Sequence, residues 1–263
     1  MRIAIIGGTG VYDPRILTNI REVYAATPYG DIAVMVGTYH GEEIGFLARH
    51  GKGHTVPPHQ INYRANMWGL ARLGVKRVLT TTAVGSLNPD MEPGDFVLID
   101  QFIDFTKARP STYFDGTDGN VVHLDYTEPY CPEVRASIRK AAEEKGIPIK
   151  SGGCYVCTEG PRFETKAEIL AYQRMGGDLV GMTNVPEVVL ARELGMCYAT
   201  ISMVTNFAAG ISSEPLTHEE VLEVMAANGE RLKTLLMSAL PLIPEQRGCH
   251  CDHNKKPMVE RGY

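Results

Sequence analysis

The sequence predicts an α/β fold, a single domain with a central mixed, twisted β-sheet flanked by helices. Three observations carry that expectation. Apolar, strand-length runs alternate with segments of helical periodicity along nearly the whole chain. The first run, RIAIIGGTGVYD, empties into Gly7, Gly8, Thr9 and Gly10, the pattern of a strand turning into a ligand-holding loop. The 263 residues contain no internal repeat, low-complexity segment or composition shift that would mark a linker, which favours one large domain over two small ones.

In chain order, strands are expected at Arg2–Ile6, Ile32–Val36 and Ile44–Ala48, followed by a helix at Asn62–Leu73 and strands at Arg77–Thr82 and Phe96–Asp100. The second half continues with helix Pro132–Lys145, strand Cys154–Thr158, helix Lys166–Arg174, strand Leu179–Gly181, helix Pro186–Leu194 and strand Met196–Val204. The last helix, Thr217–Leu240, has the clearest pattern. Thr217 stands as N-cap with Glu220 three residues on, a capping box, and Val221, Val224, Met225, Leu232, Leu235 and Leu236 recur on one face. Pro241 and Pro244 end it. The domain is therefore placed at residues 1–245, with a polar tail over 246–263 that carries a C-x-C pair.

Hydrophobic residues make up 44%, charged residues 22% and aromatic residues 8%, which excludes the disordered and fibrous classes. A net charge of -5 gives no broad attraction to nucleic acid or anionic membrane, so neither is expected as a partner. No basic and apolar leader precedes the first strand, and no apolar run approaches the roughly 18 residues of a spanning helix. A cytoplasmic location is expected.

The cysteines are Cys131, Cys154, Cys157, Cys197, Cys249 and Cys251. Zinc is one reading of C-x-x-C at Cys154 and Cys157 and of Cys249, His250, Cys251 and His253 in CHCDH. Structural zinc usually takes two well-spaced ligand pairs, and GGCYVCTEG reads as a buried strand, so no metal is expected. Two polar clusters follow apolar strands, where open α/β sheets bind ligands. ARHGKGH supplies Arg49, whose planar fork suits two phosphate oxygens, with His50 and His54 as neighbours, and TTTAVGS supplies hydroxyls. Thr9, a hydroxyl among backbone donors, suits a small oxyanion.

These clusters, taken with TEGPRFETKAE (Thr158 to Glu168), GMTNVPEVVLARELG (Gly181 to Gly195) and VTNFAAG (Val204 to Gly210), resemble the trimeric purine nucleoside phosphorylase and methylthioadenosine phosphorylase family from Arg2 to about Ile243. The resemblance implies phosphorolysis of a purine nucleoside to free base and pentose 1-phosphate, with phosphate as co-substrate and no cofactor. Phosphate contacts are implied for Thr9, Arg49, His50, Thr82, Ala83 and Thr183, and substrate contacts for Met182, Asn206, Phe207, Ala208, Glu164, His218 and His123. His123 is implied to be lent to a neighbouring subunit in a trimer or dimer of trimers. Asn206, His50 and Glu164 are implied as the catalytic set.

Methylthioadenosine phosphorylases look similar but usually carry Asp at the position of Asn206 and Ser at that of Glu164. Asn206 can donate to O6 and accept from a protonated N7, and Glu164 can accept from N1–H, so together they imply hypoxanthine or guanine as the base. Cys131 with Cys197, and Cys249 with Cys251, resemble positions bridged in thermophilic archaeal relatives, which implies disulfides and a heat-stable oligomer. Two other readings are weighed. One is cleavage of 5'-methylthioadenosine or 5'-methylthioinosine. The other is a dinucleotide-binding module resting on IAIIGGTG, against which stand the missing third glycine and the absence of an acid at the end of a second strand.

Overall fold

A computed structural model describes residues 1–8, 17–117, 119–211 and 218–253, with the side chains of His218 and Glu220 excepted. Thr9 and the capping box expected at Thr217 therefore lie outside the described residues. The first strands are β1 (Ile3–Gly7), β2 (Thr18–Ala25), β3 (Ile32–Tyr39) and β4 (Glu42–Ala48), followed by α1 (Tyr63–Arg72), β5 (Arg77–Ser86), β6 (Phe96–Leu98) and β7 (Gln101–Phe105). Then come α2 (Pro132–Lys145), β8 (Lys150–Ser151), β9 (Cys154–Thr158), α3 (Lys166–Arg174), β10 (Leu179–Gly181), α4 (Asn184–Glu193), β11 (Cys197–Phe207) and α5 (His218–Ala239).

All the strands join one mixed sheet whose main path runs β2-β3-β4-β1-β5-β10-β9-β7. The sheet branches at β5. One edge of β5 pairs with β11 along residues 77–86, in parallel. The other edge pairs with β1 along residues 77–80, in parallel, and with β10 at Gly85 and Ser86, antiparallel. Among the described residues, positions 81–84 have no strand partner on that second edge.

The alternation of side chains along β1 and β5 divides the core in two. Ile3, Ile5 and Leu79 face Val134, Ile138, Leu235 and Leu236 of α2 and α5. Ala4, Ile6 and Val78 face Met67, Leu70, Val188 and Leu190 of α1 and α4. Local chemistry sets the helix ends. Pro132 occupies the first turn of α2, where its missing N–H costs nothing, and Gly146 closes that helix at φ 62°. Thr165 and Glu168 form a reciprocal capping box on α3. Leu236 is fully buried on the inner face of α5. Leu236→Ala is expected to lower unfolding free energy by about 2–5 kcal/mol, read as a lower urea midpoint at unchanged slope.

Candidate active site

The unpaired stretch of β5 is where β1 and β10 diverge, and polar residues from several elements converge there. Arg49 directly follows β4, and its backbone N–H donates to Gly7 O at 3.1 Å, which fixes it beside the end of β1. The Arg49 side chain is buried and forms a bidentate pair with Glu187 of α4, Nε and Nη2 each donating at 2.7 Å. Nη1 donates to the Thr81 carbonyl oxygen at 2.8 Å, taking up an acceptor in the unpaired stretch. A guanidinium has five N–H groups, so two remain for a ligand. Burial disfavours its charge, but the Glu187 carboxylate outweighs that cost and holds Arg49 above its ordinary pKa.

A chain of buried hydrogen bonds supports Glu187. Tyr198 Oη donates to Glu187 Oε1 at 2.8 Å, and Thr80 Oγ1 donates to Tyr198 Oη at 3.2 Å. Thr80 and Thr200 hydroxyls meet at 2.7 Å, Asn184 Nδ2 donates to Thr200 Oγ1 at 2.9 Å, and Tyr130 Oη donates to Asn184 Oδ1. One step further along the strands, Thr82 and Ser202 hydroxyls lie 2.9 Å apart. Thr82 is buried and Ala83 exposed. Thr183, buried just beyond β10, donates its backbone N–H to Tyr155 Oη at 3.3 Å. A cavity of about 630 Å³ borders Arg49 on the side of β3 and β4, lined by Gly7, Gly8, Ile32, Met35, Phe46 and Arg49, whereas Thr82, Ala83 and Thr183 stand outside its lining.

His50 borders this cluster. Its Nδ1 lies 2.9 Å from the Val56 carbonyl oxygen, which can only accept, so Nδ1 carries the proton and Nε2 of the neutral ring is an acceptor. The ring stacks on His54 with centroids 4.1 Å apart. Burial, aided by the charges of Arg49 and His54 and opposed by the Val56 contact, lowers its pKa to about 4.

A second group gathers at the ends of β9, β10 and β11. Asn206 follows a register shift between Val204 and Asn206 that re-aims the end of β11, and it is buried beside Gly85. Its Oδ1 accepts from Thr205 Oγ1 at 2.8 Å and its Nδ2 donates to Phe207 O at 2.9 Å, leaving one N–H and one lone pair. Thr158, last residue of β9, donates through Oγ1 to Glu164 Oε1 at 2.7 Å. Burial raises the pKa of Glu164 above the ordinary carboxylate value, against the lowering effect of that bond. Met182 packs over Gly160, where a Cβ would stand 2.6 Å from the methionine sulfur. Gly160 also adopts φ +69°, so glycine is required there on both counts. Phe207 is partly buried and Ala208 fully buried beyond β11.

Residues 2–241 match the phosphorylase superfamily. The chain belongs to that superfamily. It is 62% identical to a probable 6-oxopurine nucleoside phosphorylase of Moorella thermoacetica, over 95% of this chain and 96% of the relative. A 6-oxopurine nucleoside phosphorylase of Pyrococcus furiosus is 57% identical over 95% of this chain and 96% of its own. Among solved structures, a methylthioadenosine phosphorylase sourced from an antarctic soil metagenomic library superposes with a TM-score of 0.90 at 38% identity, covering 96% of this chain and 90% of that one.

Within this phosphorylase, the fold thus brings Arg49, His50, Thr82, Ala83 and Thr183 around the unpaired stretch of β5, and Glu164, Met182, Asn206, Phe207 and Ala208 to the adjoining strand ends. His123 is exposed on the segment between β7 and α2. His218 begins α5, its side chain outside the described residues.

Two buried charges that sequence reasoning missed organise the site. Glu187 is one, marked only as a lone carboxylate in the apolar run NVPEVVLA. Arg109 is the other. Its Nη1 donates to the carbonyl oxygens of Met182 and Val185, both at 2.7 Å, and its Nη2 to those of Thr158 at 3.2 Å and Glu159 at 2.6 Å. One guanidinium therefore clamps the segments bearing Glu164 and Thr183.

The disulfides implied by resemblance are absent. All six cysteines are free thiols, and Cys197 and Cys249 sulfurs lie 3.4 Å apart, beyond the roughly 2.05 Å of a bond. The topology brings these thiols together without bonding them in pairs.

The His50 ring gives a pH test. An unfolded histidine titrates near 6.5, so between there and the folded value of about 4 the unfolded chain binds the extra proton. Stability contributed by neutral His50 is therefore full above about pH 6.5 and is lost as pH falls towards about 4. Against wild type, His50→Gln should show a shallower fall of melting temperature across that window; parallel curves would disprove the assignment.

Proposed function

We propose that this phosphorylase cleaves 6-oxopurine nucleosides, inosine and guanosine, with inorganic phosphate to give free base and ribose 1-phosphate in purine salvage. The observation that carries the reading is the presence of both Glu164, held by Thr158 at the end of β9, and Asn206, set by the bulge of β11, in a chain 57% to 62% identical to relatives named for that activity. Phosphate takes the free N–H groups of Arg49, the hydroxyls of Thr82 and Thr183 and the backbone N–H of Ala83, with Thr9 as a further contact. His50 accepts a hydrogen bond from the hydroxyl of monohydrogen phosphate through Nε2. Nε2 becomes a donor only once the ring is protonated.

Rupture of the bond between N9 and C1' leaves positive charge on the sugar and negative charge on the base. A phosphate oxygen held against C1' stabilises the first, and no enzyme nucleophile or cofactor is needed. Asn206 stabilises the second through O6 and N7, more strongly in the transition state than before it. Glu164, with one oxygen held by Thr158, accepts from N1–H through the other. Met182, Phe207 and Ala208 flank the ribose and base, and His218 meets the 5'-hydroxyl. We further propose a cytoplasmic homotrimer or dimer of trimers in which His123 completes a neighbour's 5' subsite. No helix among the described residues is long and apolar enough to cross a membrane. Cleavage of 5'-methylthioadenosine or 5'-methylthioinosine is the second reading, favoured by the structural likeness to a methylthioadenosine phosphorylase.

Phosphorolysis of inosine, guanosine, adenosine and methylthioadenosine at equal concentration separates the two. Faster cleavage of adenosine or methylthioadenosine than of inosine overturns the first. Asn206→Asp should lower inosine kcat/KM by about 2–4 kcal/mol, the scale of one lost preorganised donor, whereas a change within about twofold (roughly 0.4 kcal/mol) removes Asn206 from the base. The raised pKa of Glu164 adds a pH signature. Ionised, Glu164 favours a 6-oxopurine; protonated, it can donate to the bare N1 of a 6-aminopurine. The ratio of inosine to adenosine kcat/KM should therefore fall as pH is lowered through the Glu164 titration, and a flat ratio would place Glu164 away from N1.

A further inference from the structure

At the opposite end of β11, the fold assembles a cluster that the proposed reaction does not use. Cys197 opens β11, Cys131 stands at the N-cap of α2, and the C-terminal tail returns Cys249 and Cys251 to the same place. The four sulfurs all lie within 4.8 Å of one another. Cys131, Cys197 and Cys251 are buried and Cys249 is half-buried. The tail is held there independently of the thiols. Arg247 donates to Gly195 O at 2.8 Å and Lys76 O at 2.9 Å, and Gly248 N–H donates to Glu133 Oε1 at 2.8 Å.

We propose that Cys131, Cys197, Cys249 and Cys251 form a tetrathiolate site for one divalent thiophilic cation of the zinc class, which fastens the tail to the base of the sheet. Zinc–sulfur bonds of about 2.3 Å in a tetrahedron set sulfur–sulfur edges of about 3.8 Å. The cluster brackets that value, with its members inside 4.8 Å and the Cys197–Cys249 edge at 3.4 Å. Sulfurs this close surround one ion and leave no room for a multi-metal cluster. The linear spacing argued against metal because the ligands do not come as two neighbouring pairs. Folding supplies what spacing lacks, setting two remote cysteines against one C-x-C.

A second, independent observation points to an anionic centre here. Arg77 is in register beside Cys197 on the same face of the parallel β5/β11 ladder. It is wholly buried, and none of its three guanidinium nitrogens has a hydrogen bond. Its counter-charge is Glu133, whose Oε2 lies 3.6 Å from Nη2. A buried guanidinium so poorly matched is costly. Four thiolates around a dication carry a net charge of minus two, so a loaded site would add negative charge on the face that Arg77 shares with Cys197. Loading is balanced without an oxidant: four S–H protons pass to solvent, four metal–sulfur bonds form, and no electrons move. Two disulfides would instead require an oxidant that removes four electrons.

Metal content of the full chain, produced in a reducing cytosol and purified without chelator, tests the assignment. Elemental analysis should give about one zinc per chain. An organomercurial should release it, and cobalt(II) exchange should produce an intense thiolate-to-cobalt charge-transfer band. Cys249→Ser with Cys251→Ser should reduce bound metal at least tenfold, while Cys154→Ser should leave it unchanged. Wild-type protein without metal overturns the proposal, whether non-reducing peptide mapping finds two disulfides or thiol titration finds the four cysteines free. Zinc retained in full by the double variant overturns it as well. The wild-type measurement stands even if the variant fails to fold.

Discussion

The bidentate pair between Arg49 and Glu187 is the interaction on which the rest of the site depends. It links the end of β4, the unpaired stretch of β5 and the buried face of α4, and through Tyr198 it reaches β11. Burying both charges is expensive, and such a pair seldom repays its desolvation through attraction alone. What it secures is position. Glu187 fixes the plane of the guanidinium while leaving two N–H groups uncommitted, so a ligand anion meets donors already aimed and loses little to reorganisation. The Tyr198 hydroxyl adds a further hydrogen bond to Glu187, and the threonine hydroxyls behind it hold Tyr198, all without adding charge. The pair is close to neutral as a unit. It orients an anion more than it attracts one, and the backbone and hydroxyl donors of β5 must supply the remainder.

Those donors are free because of the way the sheet branches. A strand in the middle of a sheet normally has both edges consumed by neighbours. Here β1 leaves β5 after Thr80 and β10 joins only at Gly85. The intervening backbone is held straight by β11 on its far edge, so it is rigid and yet unpaired on the near one. Open α/β sheets place ligands where neighbouring strands part, and this branch creates such a place. The bulge at Asn206 belongs to the same design, because an unbroken ladder would continue the strand alternation and leave the amide aimed elsewhere.

Much of this architecture is legible in the sequence, and the failures have a common physical cause. The interior strands β1, β4, β5, β9 and β11 read as apolar runs because both of their faces are covered. Strands β2 and β7 end the main path, and their partly solvated sequences TNIREVYA and QFIDF lack such a run. The two-residue β8 is too short to signal at all. At the site, Arg49 and His50 are readable because charge directly after an apolar strand is conspicuous. Glu187 and Arg109 are not, since a charged residue in a helix or loop is ordinarily solvated and only tertiary structure shows them buried. The thiol cluster is equally hidden. Its members come from three places in the chain, and only the fold of the tail turns the C-x-C towards Cys131 and Cys197.

Strand β11 connects the two polar centres. Its eleven residues, at about 3.3 Å each, set Cys197 and Phe207 roughly 30 Å apart. Energetic coupling over such a distance requires an element with two discrete arrangements that both ends bias. A strand buried along nearly its whole length and bonded on both edges is a poor candidate for one. The thiol cluster therefore acts on the base of the domain, where it ties the tail, the start of β11 and the first turn of α2 together against unfolding. The opposite end keeps its geometry through Arg49, Glu187 and Arg109. Stability and chemistry are set at separate ends of one rigid strand, so each can change in a relative of this chain without the other being disturbed.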